Sequence, residues 1–292
     1  MTKVLVAGAT GMLGSEIAAS LLRRGAQVRA LVRPESAGAE TARTLKERGA
    51  EIVQGTLDRP DRALDGVDVV VSAVQGGPDV VVDGQLALLR AAEKAGVSRL
   101  IPSDFAVDLF RLDDGDNVFL DDRRKAHEAF AGAGVQVTSV LNGAFHEVMT
   151  APFLEIVDWE KGTFSYWGDG DEPCDFTTVA DTAAYTAAVA LDADVSGPVR
   201  VAGDVLSMKD FHAALERGSG RSLSLRRLGG TEELAAEIER RKAGAAGPTD
   251  YVALQYIWAM VTGKAKLRPL DNGRYPDIRP TGMAEFARRF AS

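Results

Sequence analysis

Two kinds of segment alternate along the first half of the chain. Short β-branched apolar runs (KVLVAG, QVRALV, EIVQG, VDVVVSAV, SRLIPS and VQVTSVLN) are separated by stretches of helical period such as LGSEIAASLLRRG and VVVDGQLALLRAAEKAG. Runs apolar on both faces suit strands buried in a parallel sheet, and the helical stretches are the crossovers it requires. Gly25, Gly49, Gly96 and Gly134 fall after helical patterns and before strands, where helix C-caps are expected. The pattern predicts a doubly wound α/β domain over residues 1–150.

After Asn142 the rhythm breaks. GAFHEVMTAPFLEIVDWEKGTFSYWGDGDEPC is rich in aromatics and turn residues, and DFTTVADTAAYTAAVALD reads as a strand edge followed by a helix. That piece, about 174–202, is expected to rejoin the first domain. Helical stretches (SMKDFHAALERGSG, TEELAAEIERRKAG, DYVALQYIWAMVTG) and a terminal TGMAEFARRFAS complete the chain. Residues 151–292 are therefore expected to form a smaller α+β substrate lobe. Its apolar helices would serve a core or a homodimer interface equally well.

Bulk properties narrow the function. The formal charge of −8 over 292 residues, with no basic block, makes a nucleic acid a poor partner. Cys174 is the only cysteine, which excludes an intrachain disulfide framework and fits a reducing compartment. The opening MTKVLVAGATG lacks the pattern of an export signal, and no apolar run reaches the roughly 18 residues of a membrane span. A cytoplasmic protein with no membrane partner is expected. The histidines are few and far apart, so no metal site is expected.

The chemistry starts in VLVAGATGMLGSEIAASLL, where Gly8, Gly11 and Gly14 stand between the first strand and the first helix. Glycines there allow a tight turn, let backbone N–H groups approach a pyrophosphate, and let helix and strand pack closely. The surrounding βαβ unit favours a Rossmann-type dinucleotide site over a turn with no ligand. At the end of the second strand, ALVRPES carries Arg33 where an acidic residue would select a free ribose hydroxyl. A guanidinium there suits a 2′-phosphate, so NADP(H) is favoured over NAD(H). The competing reading is a surface arginine beside a proline turn.

GATGMLG, ALVRPES, GVDVVVSAV, GVSRLIPSDFAVD, GVQVTSVLNGAF and YPDIRPTGMAEFARRF together resemble the isoflavone reductase and NmrA-like group of atypical short-chain dehydrogenases/reductases, over nearly the whole chain. The resemblance implies NADPH-dependent reduction of aromatic substrates or quinones; the group also includes regulators that bind the dinucleotide without turnover. It implies that Thr10, Gly11, Met12 and Leu13 hold the pyrophosphate, with Arg33 and Ser36 on the 2′-phosphate. Ala73, Val74 and Gln75 would flank the adenosine side, while Ser103, Asp104, Phe105 and the turn Asn142, Gly143, Phe145 approach the nicotinamide. Where many relatives read Gly-Asp-Leu, this chain has Thr56 in GTL.

The proton donor is the open question. No Tyr-x-x-x-Lys motif occurs, and the family's lysine position falls on Arg123 in DDRRKAHEAF. Ala126, Ala129, Phe130 and Ala133 define the apolar stripe of this helix, and Arg123 and His127 lie along its edge. Lys125 projects to the opposite side, with Asp121, Glu128 and Gly132, and is expected in solvent. Arginine holds its proton, so Arg123 would orient or polarise a carbonyl, whereas His127 can donate near neutrality. The competing reading of His127 is a helix-surface histidine bonded to a carboxylate; His146 is a second candidate. Phe145, Phe153, Trp159, Tyr166 and Trp167, with Met149, would line an apolar substrate pocket or form the small lobe's own core.

Two functions emerge. One is an NADPH-dependent reductase of a small apolar, aromatic carbonyl, enone or quinone, with Arg123 and His127 catalytic. The other is a non-catalytic NADP(H)-binding redox sensor.

Overall fold

The computed structural model describes residues 1–291. Six strands form one sheet: β1 (Lys3–Ala7), β2 (Gln27–Val32), β3 (Glu51–Gln54), β4 (Val69–Ser72), β5 (Arg99–Ile101) and β6 (Gln136–Val137). Their order is β3-β2-β1-β4-β5-β6 and every neighbouring pair is parallel, the doubly wound arrangement that the apolar runs predict. The strand order reverses between β1 and β4, and ligands of open α/β sheets bind outside the carboxyl ends of the strands at such a point.

Helices α1 (Met12–Arg23), α2 (Glu40–Glu47), α3 (Gln85–Lys94) and α4 (Val118–Phe130) connect the strands. Val4 and Val6 of β1 share one core with Ile17 and Leu21 of α1 and with Ala183, Tyr185 and Ala187 of the helix Val179–Leu191. On the other face, Leu5 and Val70 pack with Leu88 and Leu89 of α3 and with Ala126 and Phe130 of α4. Because both faces are covered, β4 is buried throughout, and each fully buried Val or Leu contributes on the order of 1.5–3 kcal/mol.

VQVTSVLN is one apolar run but two strand segments. After β6 the partner changes: Thr138 N–H still donates to Leu100 O of β5, while Val140–Leu141 pairs with Val199–Arg200. Gly25, Gly49 and Gly96 adopt the left-handed backbone of C-caps. At the end of α4 that role falls to Gly132 rather than Gly134, whose N–H donates to the Glu93 carboxylate at 2.7 Å.

The second half adds a three-stranded sheet of Val157–Asp158, Thr163–Trp167 and Ser224–Gly229, covered by helices Met208–Ser219, Thr231–Gly244 and Val252–Val261. Phe164, Phe176, Phe211, Leu215 and Met149 are central to its core. No helix among the described residues is long and apolar enough to cross a membrane.

Candidate active site

The glycine loop leaves β1 at Gly8, which has φ 76°. A Cβ at Gly8 would sit 2.3 Å from Ala73 O, and one at Gly14 would sit 2.2 Å from Gly8 O. The first closeness joins β1 to β4 and the second seats α1 on the loop. Gly11 N–H donates to Gly8 O at 3.0 Å, and Gly11 begins α1 without a side-chain cap. The first-turn N–H groups of α1 thus stay available for an anion, with the positive end of the helix dipole behind them.

The loop forms the floor of a cleft of about 780 Å3 across the carboxyl ends of the strands. Gly8, Thr10, Gly11, Met12 and Leu13 line it at β1, and Ala73, Val74 and Gln75 at β4. Met12 is 57% exposed, an apolar side chain left open on the cleft floor. The β2 end holds Arg33, whose side chain is 71% exposed and only loosely paired with Glu35, at 3.4 Å. Ser36 does not line the cleft; its N–H closes the turn onto Arg33 O at 2.8 Å. Thr56, Leu57 and Asp58 line the cleft after β3, so the acid missing from GTL reappears two positions later. The Thr56 hydroxyl holds the Asp58 carboxyl below its ordinary range.

The β5 end is organised around Ser103. Its N–H donates to Gln85 Oε1 at 2.8 Å, its hydroxyl donates to Val74 O at 2.7 Å, and its carbonyl accepts from Arg123 Nε at 2.8 Å. The Ser103 hydroxyl is therefore spent on joining two loops. Arg123 also donates through Nη1 to Phe119 O at 2.9 Å, and it lines the cleft with Ser103, Phe105 and Phe145. The segment Asp79–Gly84, a π-helical turn leading into α3, adds Asp79, Val80, Asp83 and Gly84 to the wall. The period of VVVDGQLALLRAAEKAG predicts ordinary helix here, and the glycine pair Gly76 and Gly77 just before it is the signal of a departure.

Several expected residues lie elsewhere. His127 is not in the cleft: its Nε2 sits 2.6 Å from Asp104 Oδ2, and the Ser139 hydroxyl donates to the same oxygen at 2.7 Å. Arg123 and His127 share one helix edge, but they meet successive residues of the 103–105 turn, whose side chains alternate in direction. Asp104 accordingly faces away from the cleft, buried against His127. The Phe110 and Phe130 rings pack edge-on against the imidazole. Lys125 is in solvent, 64% exposed. His127→Ala is expected to cost about 1–3 kcal/mol in chemical denaturation, from a lost bond to a buried acceptor, while leaving NADPH affinity unchanged.

Asn142 and Gly143 lie behind the cleft wall. The Asn142 side chain is fully buried without a partner among the described residues, and a Cβ on Gly143 would fall 2.1 Å from Asp175 O. They set the path by which Phe145 reaches the cleft. His146, next in sequence, is fully buried among Phe176, Phe211 and Phe286, so it cannot act in the cleft. Phe153, Trp159, Tyr166 and Trp167 line a separate cavity of about 760 Å3 in the small lobe, and Met149 is core. Of the aromatics expected to line a substrate pocket, Phe145 reaches the first cleft and the other rings do not.

These features can be compared with known proteins. The model of the NmrA-like family matches residues 1–262. Pinoresinol reductase 1 of Arabidopsis thaliana is 27% identical, over 99% of this chain and 97% of that protein. The structure of AtPrR2 with NADP+ and (+)-pinoresinol matches with a TM-score of 0.82 at 25% identity, covering 99% of each chain. The Escherichia coli quinone oxidoreductase QOR2, complexed with NADPH, shares the fold with a TM-score of 0.76 at 22% identity, over 98% of this chain and 99% of that one. From the glycine loop well into the second lobe, the chain belongs to the NmrA-like family.

Proposed function

We propose that the protein is an NADPH-dependent oxidoreductase that reduces a small, apolar aromatic carbonyl, enone or quinone in a reducing compartment such as the cytoplasm. The observation that carries this reading is the glycine cradle, where no Cβ fits at Gly8 or Gly14, set in a cleft that ends on Arg33. The relatives named for pinoresinol reduction and quinone oxidoreduction support the reaction class.

The residues fit the dinucleotide. Free N–H groups at Met12 and Leu13 suit the pyrophosphate, and Met12 offers an apolar surface to cover. Arg33 would hold the 2′-phosphate, since a loose, exposed pair with Glu35 gives way readily to a phosphate that accepts two hydrogen bonds. When bound, the coenzyme supplies the hydride. Arg123 would bring positive charge to the substrate end of the cleft, and Ser103, fixed at three atoms, would hold Arg123 in place. Phe105 and Phe145 would shield the reacting end from water.

Fluorescence titration with NADPH and NADH tests the coenzyme assignment. NADPH should bind more tightly, and Arg33→Ala should shrink that preference by about tenfold or more. Equal affinities in the wild-type protein would defeat it. NADPH oxidation over a panel of quinones and aromatic enones tests turnover. One observation favours the sensor reading: among the described residues, the titratable side chains lining the cleft are Arg33, Asp58, Asp79, Asp83 and Arg123, with no histidine, lysine or tyrosine. Tight NADPH binding with silence across the panel would select that reading.

A further inference from the structure

The guanidinium of Arg123 is a buried charge without a counter-ion. The residue is 8% exposed, and its protein partners are the carbonyls of Ser103 and Phe119, accepting from Nε and Nη1. Nη2 donates to no protein acceptor among the described residues. The carboxylates of its own helix and of the adjoining turn are committed elsewhere: Asp121 to Arg124, Asp122 to Lys125, and Asp104 to His127 and Ser139. Asp79 and Asp83 line the same cleft, but neither forms an ion pair with Arg123. Carbonyl dipoles orient a cation, but they leave its charge without an ion-pair partner on the cleft wall.

Strand order places this charge far from the anionic parts of a dinucleotide. The 2′-phosphate end is marked by Arg33 after β2 and the pyrophosphate loop follows β1, whereas Arg123 sits with Ser103 and Phe105 after β5. Two half-buried aromatic rings, Phe105 and Phe145, share that end of the cleft. A fixed planar fork with one edge open, flanked by aromatic surface, matches an aryl group carrying a carboxylate.

Building on the coenzyme reading, we propose that the preferred substrate of this cleft is an aromatic carbonyl compound or enone that also carries a carboxylate, held in the ground state by a salt bridge from that carboxylate to Arg123. The salt bridge supplies the counter-ion that the fold omits. It makes Arg123 a specificity-determining residue, so that acids bind more tightly than neutral aromatics of the same shape. Charge and fork geometry both contribute, so lysine is an incomplete replacement.

The test is calorimetric titration of the protein–NADP+ complex with benzoate and cinnamate and with their methyl esters. The acids should bind about tenfold or more tightly than the esters. Arg123→Gln should abolish that difference, and Arg123→Lys should keep part of it. NADPH titration of the same samples reports folding and the coenzyme site. If Arg123→Gln loses NADPH binding, the acid-to-ester ratios of wild type and Arg123→Lys decide. Esters binding as well as acids, acids failing to bind the wild-type complex, or a preference surviving in Arg123→Gln would each overturn the proposal while leaving the coenzyme reading intact. Failure of the wild-type protein to bind NADPH would overturn both.

Discussion

Gly8→Ala is expected to weaken NADPH binding by at least about a hundredfold and to lower the melting temperature. The backbone at Gly8 has φ 76°, which costs an alanine roughly 1–2 kcal/mol by itself. Steric overlap costs more. The new Cβ would lie 2.3 Å from Ala73 O and 2.8 Å from Ala73 C, and these are backbone atoms of the neighbouring strand's end. Relief requires the ends of β1 and β4 to part where the cleft depends on their closeness, which displaces Ala73 and Val74 together with the loop. Gly25→Ala is the control: its φ of 80° is equally unfavourable, but nothing lies within 4 Å of the added carbon. It should lose stability of the order of 1 kcal/mol and keep its NADPH affinity. Fluorescence titration beside thermal unfolding checks both, and a Gly8→Ala protein that binds NADPH within a factor of three of wild type would refute the argument.

The contrast shows what the sequence can and cannot reveal. The sheet was legible because β1 and β4 are covered on both faces, and double burial writes itself as an unbroken apolar run. The glycine loop was legible because close backbone approach admits one residue type. The helical wheel of α4 placed Arg123 and His127 on one edge, and both do face the 103–105 turn. The wheel could not tell that successive side chains of that turn point to opposite sides, so that one partner opens onto the cleft and the other onto a buried carboxylate. The strand Ser224–Gly229 was hidden for a related reason. Its SLRRLG pattern is exposed on both faces, so no alternation marks it, and only its parallel pairing with Thr163–Trp167 defines it. Aromatic content was the weakest guide, because a ring suits a core as well as a pocket, and most of these rings sit around the second cavity.

His146→Leu is expected to remove much of the acid sensitivity of the fold. The imidazole is fully buried, neither ring nitrogen has a hydrogen-bond partner among the described residues, and Phe286, Phe211 and Phe176 surround it at 5.3, 6.0 and 6.1 Å. Burial pushes its pKa down from 6.5 to about 4, and the nearby Arg289 charge pushes the same way. Asp204 would favour the protonated ring, but its oxygen is 3.9 Å from Nε2, beyond hydrogen-bond reach. Between pH 6.5 and about 4 the unfolded chain therefore binds a proton that the folded chain refuses. Stability rises with pH wherever the unfolded state holds more protons, so this group's share is present above pH 6.5 and is lost as the pH falls towards 4. The loss is on the order of 3 kcal/mol. Glu147, whose carboxyl pKa burial raises, works in the opposite sense, and it cancels when variant and wild type are compared. Leucine is close to histidine in volume and leaves no polar atom unsatisfied, so the variant should gain about 1–3 kcal/mol near neutrality. Its advantage should widen steadily as the pH drops towards 4. Urea denaturation of both proteins at half-unit pH steps measures the difference, and a gap that stays constant below pH 6.5 would mean that His146 titrates normally in the fold.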